Sequence, residues 1–197
     1  MRRKPDGTFA ELRWTEALTE AGKMISKAKG NEIVGIIGPH TDAESMIAFR
    51  DLLHRLGSER IHSTAVSPKV GVNIRSDYLF NSKIIGLDHT DYILLVGTNL
   101  RTEAPILNSR IMRHVENKGI QVDVLGVSPE LNFVYDHIGT SPATLEQILN
   151  GTHPSAERLR KAKFPMVIVS SKALERSDGE AIMNNVKKIT KEFKVVN

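Results

Sequence analysis

Five apolar residues in a row, Tyr92 to Val96, run straight into Gly97, then a polar loop, then a segment with helical spacing. An apolar run this short, closed by a turn residue, predicts a strand buried on both faces of a parallel sheet. Ile33-Val34-Gly35-Ile36-Ile37-Gly38 and Pro165 to Val169 read the same way. Gln121 to Gly126 alternates before its glycine, as a strand does, and Arg60 to Val66 predicts a short further strand. Between these runs the spacing is helical. Trp14 to Lys27 carries Ala17, Leu18, Ala21, Met24, Ile25 and Ala28, with Gly30 as a stop. Asp42 is placed to cap a helix whose apolar face is Ala43, Met46, Ile47, Phe49, Leu52, Leu53 and Leu56, closed by Gly57.

A third helix is expected from about Glu103 to Lys118, with Ala104, Leu107, Ile111 and Val115 inward and Gly119 as its C-terminal cap. Thr140 or Ser141 starts a short helix through Leu149, with Pro142 at the first helical position. Another covers Ser155 to Ala162, and the last carries Ile182, Val186, Ile189 and Phe193. Residues 67–82 read as loop, with one helical turn near Asp77 to Phe80. Strand and helix thus alternate with short turns. That order predicts an α/β fold: a mostly parallel, Rossmann-like sheet with helices on both faces, forming one domain over residues 1–197.

At 197 residues the chain buries roughly 70% of its unfolded surface and needs no covalent staple. It contains no cysteine, which excludes disulfides, thiolate-held metals and a cysteine nucleophile. No window approaches the ~20 apolar residues of a membrane span, so membrane association is expected only through partners. The Met1-Arg2-Arg3-Lys4-Pro5 start lacks the apolar core of a secretory signal. Net charge is +4 and aromatics make up 5%, so the basic runs at 2–4, 158–163 and 187–194 read as solvated faces, or as docking on an acidic partner, rather than a nucleic-acid surface.

Two turns merit chemical attention, Gly38-Pro39-His40-Thr41 and Gly97-Thr98-Asn99-Leu100. Each leads from a buried strand to a helix, where glycine permits a close approach of backbone to phosphate. Neither carries a dinucleotide or P-loop fingerprint. The seven histidines (His40, His54, His62, His89, His114, His137 and His153) lack metal-site spacing, so no metal is expected. Ser67 and Ser170-Ser171 lack a nucleophile elbow. Asp136 and His137 are neighbours on an extended segment and point to opposite faces. Arg75, Arg101 and Arg110 are expected in surface ion pairs. No catalytic residues emerge.

The run Tyr92-Ile93-Leu94-Leu95-Val96-Gly97-Thr98-Asn99-Leu100-Arg101-Thr102-Glu103-Ala104-Pro105, continuing to Arg110-Ile111, resembles the signature of the large iron–sulphur (75 kDa) subunit family of respiratory complex I. Asp51 to Ser58, Leu79 to Gly86, Tyr135 to Pro142, Gly151 to Pro154 and Asp178 to Ile182 match in register, so the resemblance spans nearly the whole chain. It implies a molybdopterin-oxidoreductase-like domain in a structural segment of the peripheral arm of NADH:ubiquinone oxidoreductase. It also implies partners: the cluster-binding half of the same subunit, which would hold the iron–sulphur clusters, and other peripheral-arm subunits.

The resemblance makes the chain a middle segment, without the cluster half or the C-terminal continuation. The location implied is the matrix side of the mitochondrial inner membrane, or the equivalent bacterial face. Leu100 replaces the family's turn proline, and His62 stands near where molybdenum enzymes of the superfamily carry a cysteine. No cofactor is therefore expected on this chain, and Gly38, Gly97, Thr98 and Asn99 would be relics of pterin-nucleotide loops. Two rival readings are a working molybdopterin- or nucleotide-binding oxidoreductase domain and a free-standing α/β ligand-binding module.

Overall fold

The basic start of the chain, Arg2–Arg3 (β1), pairs antiparallel with Phe9–Ala10 (β2), and Arg3 lies over the Phe9 ring. The computed structural model describes residues 1–65 and 67–195. The chain forms two compact units, Met1–Val66 and Ser67–Asn197. The first holds α1 (Trp14–Ile25), β3 (Gly35–Ile37), α2 (Ala43–Arg55) and β4 (Ile61–Ser63). Asp42 caps α2 as its position predicts, accepting from the Ser45 amide at 2.8 Å. β3 and β4 pair in parallel, Ile36 opposite His62. The expected strand 60–66 is thus confined to three residues, and Val66 lies outside the described residues.

One expectation fails in this unit. The strand at 33–38 is not buried: Val34 is 49% and Ile36 65% exposed. The apolar residues of α1 find no core either, and none of its twelve residues is buried. Among the described residues of the unit only Gly35, Leu53 and Ser58 are buried. A parallel pair of three-residue strands offers α2 a single face and leaves the other bare.

The second unit contains β5 (Tyr92–Val96), α3 (Leu100–Glu103), α4 (Pro105–Lys118), β6 (Gln121–Leu125), β7 (Asp136–Gly139), α5 (Ala143–Leu149), α6 (Pro154–Lys161), β8 (Pro165–Val169), α7 (Ser171–Glu175) and α8 (Gly179–Glu192). Its four strands form one all-parallel sheet in the order β7-β6-β5-β8. β5 sits inside it and is at most 3% exposed throughout. Because side chains alternate along a strand, Tyr92, Leu94 and Val96 pack with α5, α6 and α8 on one face. Ile93 and Leu95 join Ile111 of α4 and Leu87 on the other. The helices cover both faces, and the predicted α/β class holds.

Local chemistry explains the departures. The helix expected from Glu103 starts at Pro105, and a separate short helix, α3, forms in the loop before it; Pro105 has no N–H and forces Ala104 out of the helical region, to φ −148° and ψ 68°. The helical turn expected at 77–80 forms at Arg75–Asp77 instead. Ser141 accepts from the Ala143 amide at 3.3 Å, while Pro142 adopts helical angles one residue ahead of α5. Gly119 ends α4 as expected, in the left-handed region. β7 has a single large apolar residue, Ile138, and carries too little periodicity to be read from sequence.

Asp123, at the centre of β6, is completely buried. It accepts from the Tyr92 hydroxyl at 2.6 Å, from Ser155 and from Arg158. Arg158 also reaches Asp136 at 2.6 Å. Burial and the adjacent carboxylate push the Tyr92 phenol far above its ordinary pKa, so it remains a donor. Burial works against the Arg158 charge, and the two carboxylates more than offset it.

Candidate functional site

The turn after β5 lies at the carboxyl edge of the sheet, where open α/β folds place their ligands. There it lines a cleft of about 310 Å³ together with Glu103, the Gly126–Pro129 turn after β6, Thr140, Leu145, Lys172, Arg176 and Ile182. Gly97 turns out of the strand at φ +63°, and its amide donates to the Leu125 carbonyl at 2.7 Å. A Cβ added there would lie 2.6 Å from the Cβ of Ala173. Glycine at 97 is therefore needed by the packing of α7 against the turn, whether or not anything binds.

Four polar groups gather on one side chain of the cleft. Glu103 closes α3 and turns back over the loop. Its Oε1 accepts from the Asn99 amide at 3.2 Å, and its Oε2 accepts from Thr98 Oγ1 at 3.1 Å and from Ser170 Oγ at 2.8 Å. The Lys172 ammonium lies 3.9 Å from Oε1. The Asn99 side chain caps α3 through the Arg101 amide at 3.2 Å. On the rim, Arg176 holds Asp178 by two hydrogen bonds of 2.7 and 2.8 Å, and this pairing holds the Asp178 carboxyl below its ordinary range.

The structure brings Gly97, Thr98 and Asn99 of the expected loop residues to one cleft. Gly38 belongs to the other unit, at the end of β3. Its φ is not positive, and a Cβ there would meet open space, so neither packing nor backbone geometry requires a glycine. Glu103 and Ser170 are the residues that reading the sequence missed as parts of one site. A signal existed for the first: an Asn cap followed by a glutamate that reaches back resembles a capping box. Nothing local announced Ser170, which was weighed only as a nucleophile. Its hydroxyl is engaged with Glu103 and with the amide of Lys172 at 3.2 Å.

Several of the remaining candidates have structural partners. His114 Nε2 lies 3.0 Å from Asp88 Oδ1, with Arg110 at 3.4 Å. These neighbours, the His114 hydrogen bond foremost, hold the Asp88 carboxyl below its ordinary range. Asp136 and His137 do not pair; His137 Nε2 lies 2.7 Å from the Gly126 carbonyl. His153 caps α6. His62 is exposed on β4. Arg101 bonds the Glu130 carbonyl at 3.2 Å. Among the described residues no group of three or more His, Asp or Glu could hold a metal.

The molybdopterin oxidoreductase family matches residues 1–197. The chain belongs to that family. It is 37% identical over 196 residues to the NADH dehydrogenase (ubiquinone) iron-sulfur protein 1, mitochondrial, of Solanum tuberosum, covering 100% of this chain and 27% of that protein. It is 38% identical over 189 residues to the NADH-ubiquinone oxidoreductase 78 kDa subunit of Neurospora crassa, covering 93% of this chain and 25% of that one. To the NADH-ubiquinone oxidoreductase 75 kDa subunit of Reclinomonas americana it is 31% identical over 202 residues, covering 95% of this chain and 29% of that one. The resemblance read from the Tyr92–Ile111 run is thus borne out. The chain spans about a quarter of the length of these relatives.

A family of this name implies a pterin cofactor carrying phosphate and a metal. The residues present do not fit one. Four donors that could receive a phosphate already serve a carboxylate. The chain also has no thiolate for a soft metal. The same lack of cysteine means that no iron–sulphur cluster is held by cysteines of this segment. Leu100, in place of a turn proline, is 2% exposed and packs beneath the loop in the core shared with α4.

Proposed function

We propose that this chain is a structural, non-catalytic segment of the peripheral arm of respiratory complex I, supporting electron transfer from NADH to ubiquinone through iron–sulphur clusters held by a partner cluster-binding half. The observation that carries the reading is the 37% identity over the whole chain to an iron–sulphur subunit of NADH dehydrogenase, combined with the absence of cysteine. In this reading residues 1–197 serve as one domain of the assembly, and the loops at Gly38 and at Gly97, Thr98 and Asn99 are relics that hold no cofactor. The partners are the cluster-binding half and neighbouring peripheral-arm subunits. The location is the matrix side of the mitochondrial inner membrane. Among the described residues no helix is long and apolar enough to cross a membrane, so attachment through those partners is in keeping with the reading.

The test is native mass spectrometry of the assembly carrying NADH:ubiquinone oxidoreductase activity, purified from the source organism. The chain is expected at one copy, with clusters on companion chains and no molybdenum or pterin in the purified chain. A lone monomer absent from that assembly overturns the proposal, as does stoichiometric molybdenum or pterin bound to the chain.

A further inference from the structure

We infer that Glu103 acts as the internal anion of the cleft after β5, and that it is the residue excluding phosphate from this edge of the sheet. The donors at that edge are a backbone amide (Asn99), two hydroxyls (Thr98 and Ser170) and an ammonium (Lys172), drawn from two segments more than sixty residues apart in sequence. Amides, hydroxyls and a lysine converging on one point make the kind of donor set that receives a phosphoryl group. Here their common partner is a carboxylate of the same chain, whose side chain is 25% exposed. Being tethered, Glu103 competes at high effective concentration. Being negative, it repels any second anion offered to the same donors at a separation where charge interactions are strong.

The glycine that would normally suggest a phosphate loop is accounted for by other contacts. Gly97 is pressed against Ala173, and a Cβ on Gly126 would come within 3.1 Å of the Gly97 Cα. The two turns therefore close on each other, and Glu103 closes on the first of them. The inference is independent of membership in complex I, because it concerns only what this cleft admits.

The experiment titrates the full 197-residue chain with inorganic pyrophosphate, followed by calorimetry and by phosphorus NMR line width. The wild type is expected to show no saturable binding. Glu103→Gln keeps the shape and removes the charge, and it is expected to tighten pyrophosphate binding by about tenfold or more, roughly 1.4 kcal/mol. Adding Lys172→Met to that variant should reverse the gain, an effect that a purely structural role for Glu103 does not produce. Glu103→Ser gives the same reading if the glutamine variant does not fold. Saturable binding by the wild type as tight as the variant's overturns the inference, as does a folded variant with no gain.

Discussion

The turns that follow β3 and β5 look alike as sequence, each an apolar run ending in glycine ahead of a helix, yet they have opposite fates. β5 lies between two strands with helices on both faces, and its glycine is locked by Ala173. β3 has one partner and a bare face, and a Cβ on the glycine after it would meet open space. A run of apolar residues states a demand for burial. Whether the demand is met depends on how many elements the rest of the chain stacks against it.

The largest effect that sharpens this contrast is in the strands. Leu94→Ala, at a fully buried position of β5, is expected to destabilise the second unit by about 2–5 kcal/mol. Ile36→Ala, at a 65% exposed position of β3, should stay within about 0.5 kcal/mol. Urea unfolding of both variants checks this, and equal losses would show that β3 is buried in solution.

The turns come next. Gly97→Ala forces a side chain into the left-handed region and onto Ala173, so a loss of about 1–3 kcal/mol is expected. Gly38→Ala meets neither obstacle and should be neutral, or stabilising by up to about 1 kcal/mol. Thermal denaturation of the pair measures the difference, and a loss at position 38 as large as that at 97 would break the comparison.

The smallest effect is electrostatic. Asp42 in the first unit and Asp88 in the second both have carboxyls held below the ordinary value of 3.8, one by the Ser45 hydrogen bonds and the other by His114 and its basic neighbours. A depressed folded-state pKa contributes stability above the unfolded value, and that contribution is lost as pH falls through the folded one. Asp42→Asn and Asp88→Asn should therefore differ from wild type near neutrality and converge with it in acid, between roughly pH 5 and pH 2. Added salt should shrink the Asp88 effect more than that of the Asp42 cap, because its Arg110 and Lys118 contributions act through charge at the surface. Urea midpoints across that range, with and without salt, test both points.

Much of the fold was legible because its signals are local. The Tyr92–Val96 run, the Asp42 cap and the Gly119 stop each depend on a few neighbouring residues, and each lies where the pattern put it. The site was legible only in part. Thr98 and Asn99 stood out beside their glycine, whereas Ser170 reaches Glu103 across 67 positions, and no spacing rule links residues so far apart. Asp123 is a similar case: a charged residue in an alternating strand reads as solvent-facing, yet Tyr92, Ser155 and Arg158 enclose it.

The sequence alone determined the alternation of the main strands and helices, the absence of thiol chemistry and the family, since these rest on local patterns and on residue identity. Tertiary structure decided which apolar runs are truly buried, that β7 completes the sheet, and that the donors after β5 face an internal carboxylate. Burial and convergence are sums over elements brought together by folding, and no stretch of the chain encodes them on its own.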